Sequence, residues 1–231
     1  MVTIDICLLT FNRYADVARC ATSLEKHAPE GVRVHWLDNG STDNTPLYLQ
    51  NIIVPFWEDW TYSASPENLG VGGGRNRQID TTRGDLIVFL DSDTTVSAGW
   101  VDKLMDALKP ENVGIAGPAG SWVDWADVHP FRPAPAGECD VVSGWCMAVK
   151  REVIEAGGCR FDPAYGMFWE EDSDFCMQAR AAGWDVVCTG EIGVAHHPGQ
   201  SGDGLSNREK NLSLFRDKWR GQGLTKQEGA Y

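Results

Sequence analysis

The chain has 231 residues, a formal net charge of −13, and 42% hydrophobic against 23% charged residues. Those proportions belong to a folded domain of ordinary composition and exclude disordered, collagen-like and disulfide-scaffold classes. An acidic surface of this size repels nucleic acid and anionic lipid at long range, so a nucleic-acid partner is disfavoured, although a local basic site would escape that bias.

In chain order, strand-like and helix-like stretches alternate. Ile4–Thr10 is an unbroken apolar run and predicts a strand. Tyr14–His27 follows as a helix, with Val17, Cys20, Ala21, Leu24 and Ala28 on one face. Val32–Leu37 predicts a second strand and Asp38-Asn39-Gly40-Ser41-Thr42-Asp43 a turn. A short helix is expected over Thr45–Ile53 and a third strand over Trp60–Ser63. Asn68-Leu69-Gly70-Val71-Gly72-Gly73-Gly74-Arg75-Asn76 reads as a glycine-rich turn opening a helix that runs to about Thr82. Leu86–Leu90 is a continuous apolar strand ending in Asp91-Ser92-Asp93, followed by a helix over Ala98–Leu108 and a strand over Val113–Gly117.

Apolar runs separated by helices of about ten residues predict right-handed parallel crossovers, and strands without polar alternation are covered on both faces. The expectation is an α/β fold, with the first 117 residues forming a doubly wound open sheet. The remainder is less regular. Ser121–Gly137 carries three prolines and two tryptophans and reads as a loop, Asp140–Val149 as one strand, Trp169–Ala182 as a helix, Trp184–Cys188 and Ile192–Ala195 as strands, and Ser206–Trp219 as a closing helix. No linker or repeat interrupts the chain, which predicts a single domain over 1–231, with a nucleotide-binding half (1–117) and an acceptor-binding half (118–231). No apolar run reaches the roughly 18–20 residues that span a bilayer, and the N-terminus has no signal-peptide pattern, so a cytoplasmic location is expected. The seven cysteines include no Cys-x-x-Cys pair and are expected to be reduced and buried.

Ligands of open parallel sheets bind beyond the carboxyl ends of the strands. Four such ends are polar here: Thr10 to Arg13, Asp38-Asn39, Ser65 to Asn68, and Asp91 to Asp93. Residues two apart on an extended chain face the same way, so Asp91 and Asp93 would share a side and tolerate one another around a hard cation such as Mg2+ or Mn2+. A turn or helix cap explains the same tripeptide equally well. Glycines at a helix start let backbone N–H groups approach a phosphate, with Arg75 adding charge; a tight turn is the plainer account. Glu170-Glu171-Asp172-x-Asp174 places four carboxylates in five residues at a helix start. The helix macrodipole accounts for one or two of them, and the crowding beside Trp169 suggests a catalytic base held ionised by the helix start. His196 could complete a carboxylate metal site, though a lone histidine is more often structural.

Taken in order, the motifs resemble a family 2 glycosyltransferase of the GT-A fold, of a rhamnosyltransferase-like branch. The resemblance rests on Ile6 to Arg13, Trp36 to Asp43, Asn68-Leu69-Gly70 with Arg75-Asn76, Phe89-Leu90-Asp91-Ser92-Asp93, Phe161-Asp162 with Glu171 to Asp174, and His196 followed by Ser201. It implies a metal-dependent, inverting transfer of a sugar from a uridine or thymidine diphosphate sugar to a glycan or other hydroxyl acceptor. It further implies that Thr10, Asn12 and Arg13 line the nucleotide pocket and that Asp38 accepts from the base. By the same match Asn68, Arg75, Asp91 and Ser92 lie near the nucleotide and diphosphate. Asp91, Asp93 and His196 would hold Mn2+ or Mg2+, and Asp172 would be the general base with Glu171 as a second candidate. Trp145 and Trp169 are candidate sugar-stacking surfaces, with core packing an equal reading for each. The glycine-rich stretch His197–Gly204 is expected to close over bound donor. A nucleotidyltransferase and a catalytically dead nucleotide-sugar-binding module are the alternatives.

Overall fold

A computed structural model describes residues 2–127, 131–198 and 204–224. The first half builds β1 (Ile4–Thr10), α1 (Tyr14–His27), β2 (Arg33–Asp38), α2 (Thr45–Tyr48), β3 (Trp60–Ala64), α3 (Gly70–Thr81), β4 (Leu86–Asp91), β5 (Thr94–Val96), α4 (Trp100–Ala107) and β6 (Val113–Gly117). The second half adds β7 (Gly120–Val123), β8 (Phe131–Ala134), β9 (Gly137–Cys139), β10 (Val141–Val142), β11 (Cys146–Lys150) and α5 (Arg151–Glu155). It closes with α6 (Glu171–Ala181), β12 (Asp185–Cys188), β13 (Val194–His196) and α7 (Gly204–Trp219).

One eight-stranded sheet, in the order β3-β2-β1-β4-β11-β6-β12-β9, takes strands from both halves. β1, β2, β3 and β4 pair in parallel as expected, and β12 joins β6 in parallel. The first 117 residues do not form the sheet by themselves, however. β11 comes from the second half and runs antiparallel between β4 and β6. The apolar runs have the expected cause: both faces are covered. Ile4, Ile6 and Leu8 of β1 pack with Val17, Cys20 and Leu24 of α1 and Trp100 of α4. Cys7, Ile87 and Phe89 face the opposite layer with Phe161, Phe175 and Phe215. All seven cysteines are buried and free. Burial pushes the Cys20 thiol up to about 12 and the Cys159 thiol up to about 11, so these two remain unreactive core groups.

Four local expectations are corrected. The helix expected over Thr45–Ile53 changes pitch, with a wider turn over Leu49–Ile53 and a tighter one over Val54–Phe56, where Pro55 cannot donate to the preceding ladder. Ser121–Gly137 is not a plain loop; β7 and β8 lie in it and pair antiparallel. β8 tolerates Pro133 because it is the edge of the three-stranded sheet β10-β7-β8. The single strand expected over Asp140–Val149 breaks at Ser143-Gly144, sending β10 to the small sheet and β11 to the large one. Finally, Gly72, Gly73 and Gly74 are inside α3 and do not form a turn before it. A Cβ on Gly74 would run into the Leu9 side chain and one on Gly72 would come within 3.2 Å of Phe161. Gly74 thus lets α3 lie close on β1. No described helix is long and apolar enough to cross a membrane.

Candidate functional site

Asp91 closes β4, the strand flanked by β1 and β11, so its carboxylate emerges at the sheet's carboxyl edge. Asp93 does not follow it by strand alternation, because Ser92 and Asp93 form a turn before β5. Convergence comes from elsewhere. β13 pairs antiparallel with β5 and sets His196 opposite Thr94, while the His197 N–H donates to the Asp93 carbonyl at 2.9 Å. One ligand atom from each of Asp91, Asp93 and His196 then lies within 4.8 Å of the others. His196 Nε2 is 3.2 Å from Asp93 Oδ1, and Arg13 Nη1 is 3.1 Å from Asp93 Oδ2. Burial alone would lower the imidazole's pKa; the hydrogen bond and charge of Asp93 outweigh it and raise it. Desolvation raises the Asp91 carboxyl, opposed mainly by the Arg75 guanidinium.

Arg75 comes from α3 and is buried at 3% exposure. Nη2 donates to Asp91 Oδ1 at 2.9 Å and to the Gly144 carbonyl at 2.8 Å, and the guanidinium lies against the Phe89 and Phe161 rings. Gly144 is required here, since a Cβ would strike Nη1. The break between β10 and β11 therefore has a function in the site: Gly144 accepts from Arg75 through its carbonyl and donates its N–H to Asp172 Oδ2 at 2.7 Å.

The acidic cluster opens α6. Trp169 and Glu170 precede it with φ of 81° and 69°, left-handed conformations that cost a non-glycine residue about 1–2 kcal/mol each. Asp172 accepts from Gly144 and, through Oδ1, from the Ser173 N–H at 2.7 Å. Glu171 is 7% exposed, its Oε1 4.0 Å from Arg75 Nη1 and its Oε2 without a hydrogen-bond partner. Burial and then the neighbouring Asp172 charge push the Glu171 carboxyl well above the usual range, against the pull of Arg75. Desolvation, with Asp172 second, lifts Glu170 to about 7. For these two glutamates burial overrides the helix start.

Asp174 belongs to the core, not to the site. It is fully buried and accepts from Tyr165 Oη (3.2 Å), Trp219 Nε1 (2.7 Å), Gln178 Nε2 (2.7 Å) and Lys218 Nζ (3.0 Å).

A cleft of about 690 Å³ is lined by Arg75, Asp91, Asp93, Trp145, Trp169 to Ser173, His196 and Arg208, among others. Trp145 presents one ring face to His196, stacked at 5.3 Å and 9°, while Trp169 is 40% exposed with Arg208 5.0 Å over its ring. Ser92 sits part-buried in the turn between the aspartates. Thr10, Asn12, Asp38 and Asn68 are not in that lining. Thr10, Asn12 and Asp38 group at the ends of β1 and β2, and Asn68 joins them from the loop between β3 and α3 through Asn39. Thr10 Oγ1 donates to Asp38 Oδ1 at 3.5 Å, and the Ser41 N–H reaches both Asp38 oxygens at 3.3 Å. Asn12 Oδ1 accepts from the Thr42 N–H at 2.8 Å; Asn68 Oδ1 accepts from Asn39 Nδ2 and the Gly70 N–H at 2.9 Å each. Asn12 and Asn68 thus shape loops with their side chains. Of the stretch expected to close over donor, residues 199–203, including Ser201, lie outside the described residues. Sequence reading missed Asn211 and Gly144, and neither is flagged by a motif: one is an isolated polar residue on a helix, the other an ordinary-looking break in an apolar run.

The model of the family described as Glycosyl transferase family 2 matches residues 5–157. Succinoglycan biosynthesis protein ExoM of Rhizobium meliloti (strain 1021) is 26% identical over 208 residues, covering 84% of this chain and 66% of ExoM. Among solved structures, the mannosyltransferase PcManGT from Pyrobaculum calidifontis, in complex with GDP-Man and Mn2+, superposes with a TM-score of 0.75 at 16% identity, over 94% of this chain and 64% of that one. GalNAc-T7 with UDP, GalNAc and Mn2+ gives 0.74 at 14% identity, over 95% and 49%. The chain thus spans less than two thirds of each of these relatives' lengths. The shared fold is GT-A.

Proposed function

The chain belongs to glycosyl transferase family 2, and from that premise we propose that it moves a sugar from a nucleoside-diphosphate sugar to an acceptor hydroxyl, with inversion at the anomeric carbon. The observation that carries this reading is the convergence of Asp91, Asp93 and His196 on the same cleft as Asp172. Two carboxylates and an imidazole fit a divalent cation of intermediate hardness, which favours Mn2+ over Mg2+. A cation held by these three residues would supply Lewis-acid stabilisation of the departing diphosphate.

The chain's own residues divide the rest of the work. Arg75, fixed by Asp91 and Gly144, brings a positive charge to the diphosphate side. Asp38, with only long hydrogen bonds of 3.3–3.5 Å, can accept a shorter one from a pyrimidine N–H, which supports a uridine or thymidine donor. Two short backbone N–H bonds orient Asp172, the Ser173 hydroxyl adds a longer one to Oδ1 at 3.4 Å, and Oδ2 keeps a further lone pair. Asp172 takes the acceptor hydroxyl's proton as that oxygen bonds to the anomeric carbon, and the bond to phosphate breaks with its electron pair leaving on the diphosphate. Glu171, its carboxyl raised by burial, holds its proton near neutrality and serves less well as base than Asp172. The bound GDP-Man, UDP and Mn2+ of the solved relatives support a nucleotide-sugar donor with manganese. Trp169 offers an exposed ring to the acceptor.

Asp93→Ala is expected to abolish Mn2+-dependent binding of uridine or thymidine diphosphate in calorimetry. Asp172→Asn should keep that binding and lose turnover by at least about 10²-fold. Parental turnover by Asp172→Asn overturns the base assignment. Pyrophosphate in place of free nucleoside diphosphate as product overturns sugar transfer itself.

A further inference from the structure

Asn211 lies on α7, outside every motif that marks the cleft in the sequence, and is 2% exposed. Its Nδ2 donates to the carbonyls of Tyr165, Phe168 and Trp169 at 2.7, 3.0 and 3.0 Å. An amide nitrogen has two hydrogens, so three acceptors share them. Those carbonyls belong to the segment that turns through left-handed Trp169 and Glu170 into α6. One turn earlier on the same face of α7, Arg208 lies over the Trp169 ring. Trp169 is thus gripped twice from one helix, by its ring and by its backbone. Beyond the acidic cluster the same helix returns with Lys218 and Trp219, both bonded to Asp174. Asp172 therefore stands between two anchors that α7 supplies. Unusual backbone conformations of this kind persist only where surroundings over-determine them, and here the surroundings are α7.

We propose that Asn211 is a positioning residue: it holds the Tyr165–Glu170 turn so that Asp172 faces the reacting hydroxyl, without touching substrate itself. This rests on the reading of Asp172 as the base. The metal side of the cleft, built on β4, β5 and β13, has no contact with Asn211 among its hydrogen bonds, so donor affinity should be insulated from a change at 211.

Asn211→Asp keeps the size and removes the donated hydrogens. The expected result is faster amide hydrogen exchange over residues 165–172 by about tenfold, with β4 unchanged. Turnover should fall by about 10²-fold, and the donor KM should stay within about twofold. Parental exchange and parental turnover overturn the proposal. So does a parallel loss of β4 protection, donor affinity and turnover, which marks a merely structural residue. If Asn211→Asp yields no folded protein, Asn211→Ser, with a single hydroxyl donor, is read the same way. Should the parent chain transfer no sugar to any acceptor, the reading of function fails, while the exchange measurement still decides whether Asn211 holds the turn.

Discussion

Asp172 and Asp174 differ by two positions and serve opposite ends of the molecule's chemistry. A helix advances about 100° per residue, so a spacing of two sends side chains to opposite faces. Asp172 meets Gly144 at the cleft, whereas Asp174 meets Lys218 and Trp219 in the core. Glu170 is legible only in three dimensions. Its raised carboxyl, at about 7, is protonated in the folded chain where an unfolded glutamate near 4.5 is ionised. That contribution to stability is fully present below about pH 4.5 and is lost as pH rises through about 7. Urea unfolding between pH 4.5 and 8 should show this decline, and Glu170→Gln should flatten its share of it; an equal slope in both proteins would refute the assignment. The acidic run was visible in the sequence, but the division of its members between site and core was not, because it depends on α7, about forty residues downstream.

At the scale of the element, α3 shows how a motif can be seen and its physics misassigned. Three consecutive glycines suggested a turn, yet they occupy the helix itself and bring it against Leu9 and Phe161. Alanine is normally the better helix residue by about 1 kcal/mol. At Gly74 the added methyl meets the Leu9 side chain, and overpacking of that kind costs about 1–3 kcal/mol. Gly74→Ala should therefore be neutral to destabilising by about 2 kcal/mol in denaturant titration; a clear stabilisation would show that the contact yields freely. The strands of the first half were readable because burial on both faces leaves uninterrupted apolar runs. β7 and β8 were not, since a small sheet with a proline-bearing edge strand needs few apolar residues. The Asp140–Val149 run concealed two strands of different sheets, as hydrophobicity alone does not reveal a break at Ser143-Gly144.

Across the whole molecule, the two halves read from sequence do not correspond to separable sheets. β6 pairs with β11 and β12 and with no other described strand, and both of these come from the second half. A fragment of residues 1–117 would leave β6 without neighbours and β4 with an open edge. Such a fragment should lack cooperative unfolding by circular dichroism, and a sharp thermal transition would argue that the first half stands alone. The same interleaving ties assembly to the order of synthesis. Asp174, the buried carboxylate beneath the acidic wall, finds Lys218 and Trp219 only through α7. A ribosome-bound chain translated as far as α6 already carries every candidate metal-side aspartate, yet lacks the lysine and the indole that pair with that carboxylate. The packing of the acidic wall on its buried side is therefore completed only once α7 has left the ribosome and docked, late in the making of this domain.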